Sequence, residues 1–222
     1  MKNNKEDGIY LTKSSAVVTD TTPADQIISC SGSCTAKAVS TITSSEVGYH
    51  MDAFNQGNLI HCVTTPSISC ITSSSGATDA SPKYFLQAGS TPSVISCKTN
   101  GCVLEDKTAV KGYFINSAGT TGKAVISCNG TQCSELADVS TCSVVGKVKV
   151  SGGKVYFCVS TTDADPTHVE IKIDASRSES TKSFKLANDN DFPGFNKDQY
   201  ISVKIGKDGT ALYQAPGIAT GK

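Results

Sequence analysis

The chain has 222 residues, with 20 Lys or Arg against 20 Asp or Glu, so it lacks the basic footprint that nucleic acid or an anionic membrane surface selects. Charged residues make up 18% and aromatics 6%, with no tryptophan, which excludes a large aromatic core and leaves a surface rich in Ser and Thr hydroxyls. Ten cysteines in closely spaced pairs point to a disulfide framework formed in an oxidising compartment, so an extracellular protein, secreted or held at a cell surface, is expected.

Residues 1–7 carry no apolar segment of the signal-peptide kind and are set aside from fold reasoning. No apolar run approaches the ~18 residues that cross a bilayer. Membrane contact is expected only through parts of a longer parent chain.

From residue 8 a pattern recurs. Each unit opens with a short apolar tetrad: Gly8-Ile9-Tyr10-Leu11, Gly48-Tyr49-His50-Met51, Lys83-Tyr84-Phe85-Leu86 and Gly112-Tyr113-Phe114-Ile115. Each then reaches an apolar pair, one further residue and a cysteine, as in Ile27-Ile28-Ser29-Cys30, Leu59-Ile60-His61-Cys62, Val94-Ile95-Ser96-Cys97 and Val125-Ile126-Ser127-Cys128. Val155-Tyr156-Phe157-Cys158 closes the series. The lead cysteines are 32, 35, 31 and 30 residues apart, which reads as a repeat.

A second cysteine follows in each of the first four units: Cys34, Cys70, Cys102 and Cys133. The intervening segments are short, and two contain Asn-Gly, which is turn chemistry. Adjacency predicts disulfides Cys30–Cys34, Cys62–Cys70, Cys97–Cys102 and Cys128–Cys133, leaving Cys142 to pair with Cys158. The connectors are rich in Ser, Thr, Gly and Pro, and no helical periodicity is present.

The expected fold is all-β: a disulfide-stapled, solenoid-like stack of units at about 8–47, 48–82, 83–111, 112–147 and 148–160. From about Thr161 the pattern changes. Val169-Glu170-Ile171-Lys172-Ile173 alternates as a half-buried strand should. Tyr200–Ile205 followed by Ala211-Leu212-Tyr213 reads as a hairpin. Residues 161–222 are therefore expected to form a β-rich C-terminal cap.

Gly112-Tyr113-Phe114-Ile115-Asn116, then Val125-Ile126-Ser127-Cys128 and Cys133, resemble the repeats of scaffoldins from anaerobic gut fungi. Val155-Tyr156-Phe157-Cys158-Val159, the Phe192-Pro193-Gly194 segment and the hairpin are similar to regions between those repeats. The first unit departs from the pattern, with Ile9 in place of the usual aromatic and a long connector to Cys30. The resemblance implies a non-catalytic module of a cellulosome. It would bind dockerin domains of secreted glycoside hydrolases and assemble enzymes that degrade plant-wall polysaccharide. The module itself is expected to be monomeric.

Strand alternation offers a candidate partner surface. With Ile9, Tyr49, Tyr84 and Tyr113 turned inward, Tyr10, His50, Phe85 and Phe114 turn outward as a column of rings, the kind of anchor that dominates interfaces. The competing reading packs that column beneath the connectors.

Other chemistries fit less well. The gaps within the cysteine pairs lack the paired spacing of zinc knuckles, so no metal or cofactor is expected. His50 and His61 read as variants within repeat positions. His168, after Asp163-Ala164-Asp165-Pro166, has no nucleophile motif beside it, and no catalytic residue is assigned. Asp189 and Asp191 flank Asn190 in turn-like composition, where calcium is the alternative. A structural spacer and a carbohydrate-binding β-solenoid remain as rival functions, whereas no regular Thr lattice supports ice binding. Asn129-Gly130-Thr131 is the single glycosylation acceptor pattern.

Overall fold

In this computed structural model the described residues are 6–14, 17–120, 123, 125–137 and 141, with short stretches at 148–151, 154–158, 168–170, 180–185, 196–198, 200–205 and 211–215. For the strands after residue 147, only the backbone is described.

Between residues 8 and 136 the chain makes twelve strands and, among the described residues, no α-helix. They group in threes: β1 (Gly8–Thr12), β2 (Gln26–Ser31) and β3 (Ser33–Ala38); β4 (Gly48–Met51), β5 (Asn58–Val63) and β6 (Ser69–Ser74). Next come β7 (Lys83–Leu86), β8 (Val94–Lys98) and β9 (Gly101–Leu104), then β10 (Lys111–Ile115), β11 (Val125–Asn129) and β12 (Cys133–Leu136). Each group is an antiparallel meander with its second strand in the middle.

One register serves all four. The tetrad lies beside the apolar pair, so Tyr10 faces Ile28, His50 faces Ile60, Phe85 faces Ile95 and Phe114 faces Ile126. The two cysteines of each group sit opposite one another on the second and third strands, 4.0–4.1 Å apart at Cα. All four are bonded: Cys30–Cys34, Cys62–Cys70, Cys97–Cys102 and Cys128–Cys133. In the chain-entropy model each small loop stabilises by about 2 kcal/mol. The expected pair Cys142–Cys158 lies outside the described residues.

These strands do not wind into a closed solenoid. In each sheet a turn tied off by a disulfide folds the third strand back on the second, and a longer connector returns the second along the first, so the neighbours within a sheet run antiparallel. Contacts between groups come from sheet faces and from isolated parallel bridges, Ile9 with Asp52, Tyr49 with Gln87 and Tyr84 with Asn116. At each bridge a first-strand carbonyl accepts a backbone N–H from the next group: Ile9 from Ala53 (2.9 Å), Tyr49 from Ala88 (2.8 Å) and Tyr84 from Ser117 (2.8 Å).

The core is built between sheets. Ile9, Leu11 and Ile27 of the first pack with Ile60, Cys62 and Cys70 of the second, joined by Val39 and Ile42 from the connector. Tyr49, Met51 and Leu59 pack on Phe85, Ile95, Cys97 and Cys102. Tyr84, Leu86 and Val94 pack on Phe114, Ile126, Cys128 and Cys133. The two members of an apolar pair point to opposite faces of a strand, and in the last three sheets both faces are covered. Leu59, Ile60, Val94, Ile95, Val125 and Ile126 are each no more than 2% exposed.

Three of the tetrads open with glycine, and close stacking accounts for it at Gly8 and Gly48. At Gly48, φ is +121° and a side chain would meet Ala88 Cβ at 3.3 Å, while a Cβ at Gly8 would overlap Ala53. The third sheet opens instead with Lys83, and there the neighbour is Ser117, whose Oγ accepts the Tyr84 N–H at 3.0 Å.

Further along, β13 (Val148–Ser151), β14 (Lys154–Cys158) and β15 (His168–Glu170) form another antiparallel trio. Strands β16 (Ser180–Lys185), β17 (Tyr200–Ile205) and β18 (Ala211–Ala215) continue the fourth sheet, with β18 antiparallel to β10. The β17–β18 pairing is the hairpin expected from the sequence.

Candidate interaction surface

The four residues expected to form an outward column are not on the surface. Tyr10 is 7% exposed, His50 6%, Phe85 7% and Phe114 6%. Alternation did separate them from Ile9, Tyr49, Tyr84 and Tyr113, but the face they occupy is covered, by a neighbouring sheet for Phe85 and Phe114 and by the preceding segments at Glu6 and Glu46 for Tyr10 and His50. Phe85 lies against the second sheet and Phe114 against the third. In the first sheet the Tyr10 hydroxyl donates to the Glu6 carbonyl at 2.7 Å. A stacked sheet has two interior faces, so period-two alternation marks no outer one.

The histidines are structural too. His50 Nε2 donates to the Glu46 carbonyl at 2.8 Å, and burial pushes its imidazole below the ordinary value of 6.5. His61 stacks flat on Tyr49, with ring centroids 4.2 Å apart and 1° between planes. Burial lowers the His61 pKa and raises that of Tyr49. Glu46 accepts from Lys37 Nζ at 2.6 Å and from the Thr43 N–H at 2.7 Å, and these bonds, the lysine's first, bring its carboxyl to about 2. His168 belongs to β15, whose side chains are not described, and Asp189, Asn190 and Asp191 lie outside the described residues. Among the described residues no group of three or more His, Cys, Asp or Glu is placed to hold a metal. Among the described residues no helix is long and apolar enough to cross a membrane.

The large apolar side chains that do face solvent lie elsewhere: Phe54 is 87% exposed, Val17 81%, Val103 61%, Leu104 41% and Ile68 40%. Phe54 stands out because its loop is tied down on several sides. Buried Asp52 accepts the Phe54 N–H through Oδ1 at 2.9 Å and the Thr72 hydroxyl through Oδ2 at 2.7 Å. The Ala53 N–H reaches back to the first sheet at Ile9, and the Gln56 carbonyl accepts the Cys102 N–H of the third sheet at 2.7 Å. A segment bonded to three sheets holds the backbone that carries this ring, which lowers the backbone entropy lost when a partner docks.

Val103 and Leu104 follow Cys102 directly on β9, so the Phe54 loop and this apolar strand end meet at the junction of the second and third sheets. Leu104 also borders an open depression of about 520 Å³, lined further by Gln87, Ser93, Glu105, Asp106 and Lys107. Its rim is fixed by polar contacts. Ser93 Oγ donates to the Glu105 carbonyl at 2.7 Å and Lys107 Nζ to Thr91 Oγ1 at 3.0 Å. The Asp106 carboxylate accepts from the Thr108 N–H and hydroxyl, and the first of these does most to lower its pKa.

Sequence reasoning missed Phe54. The signal was present: in Asp52-Ala53-Phe54-Asn55-Gln56-Gly57 a large aromatic stands in turn composition, outside every strand word. No known protein family, characterised protein or solved structure matches this chain.

Proposed function

We propose that the chain is a non-catalytic module of an extracellular scaffold, a stack of β-repeats closed by a C-terminal β cap over 161–222. In this reading it binds dockerin domains of plant-cell-wall-degrading enzymes and assembles them into a multi-enzyme complex. The observation that carries the reading is the exposed Phe54 on a loop whose backbone is bonded to the first and third sheets, at a junction between sheets. An exposed aromatic side chain on a rigid support is the kind of anchor that dominates protein-binding hot spots. The scaffoldin-like words supply the partner class, and the four disulfides fit an oxidising, extracellular setting.

Calorimetric titration of a dockerin from a gut-fungal glycoside hydrolase tests this. Phe54→Ala is expected to weaken binding by about 2 kcal/mol, whereas Val17→Ala, at a separate exposed site, leaves it unchanged. Failure of such dockerins to bind the wild-type chain favours the rival reading, a spacer without a specific partner. Retention on insoluble cellulose or xylan, undisturbed by Phe54→Ala, would favour a carbohydrate-binding β-protein instead.

A further inference from the structure

We propose that Asn129 is a site of N-glycosylation, modified on Nδ2 while the chain passes through a secretory compartment. Asn129-Gly130-Thr131 carries the acceptor pattern, and the fold sets it at the tip of the β11–β12 turn. Asn129 and Thr131 are both exposed, and Gly130 takes φ +85° to make the bend. The flanking Cys128 and Cys133 are buried and bonded to each other. The turn therefore projects its polar tip outward while its base is held by the core.

The tip is arranged for the chemistry. Asn129 Oδ1 accepts from the Thr131 hydroxyl at 2.7 Å, the Thr131 N–H at 3.0 Å and the Gln132 N–H at 3.0 Å. These donors anchor the amide through its oxygen and stabilise charge there as the nitrogen gives up a proton. Among the described residues no acceptor engages Nδ2. The threonine requirement of the motif is met here in space as well as in sequence.

The donor class is an oligosaccharide joined to a lipid diphosphate. Nδ2 attacks the anomeric carbon and a C–N bond forms. The bond from that carbon to the diphosphate oxygen breaks, the lipid diphosphate leaves with the electron pair, and the Nδ2 proton passes to the transferase base. No redox partner is involved. At the base of the turn the Cys133 N–H is bonded to the Pro92 carbonyl at 2.8 Å, and a sugar on Asn129 would stand on the exposed tip beyond it. It also stands at one end of β12, the edge of its sheet, where bulk hinders edge-to-edge pairing with another chain.

The experiment is expression of the full chain in a eukaryotic secretory host, followed by peptide mapping of the secreted protein after reduction. The tryptic peptide over 124–147 is expected to carry a glycan on Asn129. Enzymatic release should convert that residue to Asp and lower the intact mass by one glycan. Thr131→Ser keeps the hydroxyl and should retain the glycan, while Thr131→Ala should lose it. A secreted wild-type chain whose 124–147 peptide is recovered only unmodified overturns the proposal, as does a glycan that persists in Thr131→Ala.

Discussion

Ile95 and Val103 stand on adjacent strands of one sheet, yet Ile95 is 0% exposed and Val103 61%. Ile95 is enclosed by Leu59, Phe85 and the Cys97–Cys102 pair, so truncation leaves a cavity that the stapled sheet cannot collapse. Ile95→Ala is expected to destabilise by about 3 kcal/mol and Val103→Ala by about 0.5 kcal/mol or less, as measured by urea denaturation. The histidines predict a pH response. Both imidazoles titrate below 6.5 in the fold, so the unfolded chain binds protons first. Stability is then complete above pH 6.5 and declines as pH falls through that value. The Glu46 carboxylate near His50 partly offsets the burial, and Lys37 is paired to that same carboxylate. Glu46, held at about 2 against an ordinary 4.5, adds a second decline below pH 4.5. His50→Phe/His61→Ser, which installs the residues of the third and fourth units, should flatten the first decline and leave the second. Melting curves collected between pH 8 and 3 would check this; an unaltered profile in the double variant would assign the first decline elsewhere.

At the scale of an element, the three-stranded meander is a turn, a staple and a pair of apolar residues. The staple differs in access from sheet to sheet. Cys62, Cys70, Cys97 and Cys128 are 0% exposed and Cys133 1%, whereas Cys34 is exposed beside an open depression of about 440 Å³ with Ile28 and Ala36. Thiol–disulfide exchange needs an attacking thiolate to reach sulfur. Mild reductant followed by alkylation should therefore label Cys30 and Cys34 first. The other three pairs should react only as the chain unfolds, and mass spectrometry of the labelled peptides reads the order directly. Simultaneous labelling of all four pairs under native conditions would count against sheets that shield one another.

For the whole molecule, each covered sheet depends on its neighbours, because a single meander of short strands buries too little apolar surface to fold alone. Opening one interface should loosen the next. Hydrogen exchange is expected to be slowest along the middle strands, at Leu59–Cys62, Val94–Cys97 and Val125–Cys128, where both faces are closed. Ile60→Asp, which places a charge between the first and second sheets, should speed exchange on both sheets together. Acceleration confined to the second sheet would mean that the groups are energetically independent.

Much of this was legible in the residues. Tetrad, apolar pair and cysteine pair are local words, and strand alternation, turn chemistry and the reach of a short disulfide loop are local physics. From them follow the all-β class and the four pairings seen in the structure, whereas the solenoid-like winding expected from the repeat gives way to antiparallel meanders. Tertiary structure decided how the sheets stack, and therefore which side chains meet solvent. Periodicity can separate Tyr10, His50, Phe85 and Phe114 from Ile9, Tyr49, Tyr84 and Tyr113, but it carries no sign that says which set lies outside. Stacking buries Tyr10, His50, Phe85 and Phe114 and leaves Ile9 and Tyr49 half-buried, and the loop that presents Phe54 is held by backbone bonds from Ala53 and Gln56 to Ile9 and Cys102, 45 positions before and 48 positions after Phe54. The local pattern showed an aromatic residue in a turn, but contacts that distant in the chain, which hold the loop in place, are not written in it.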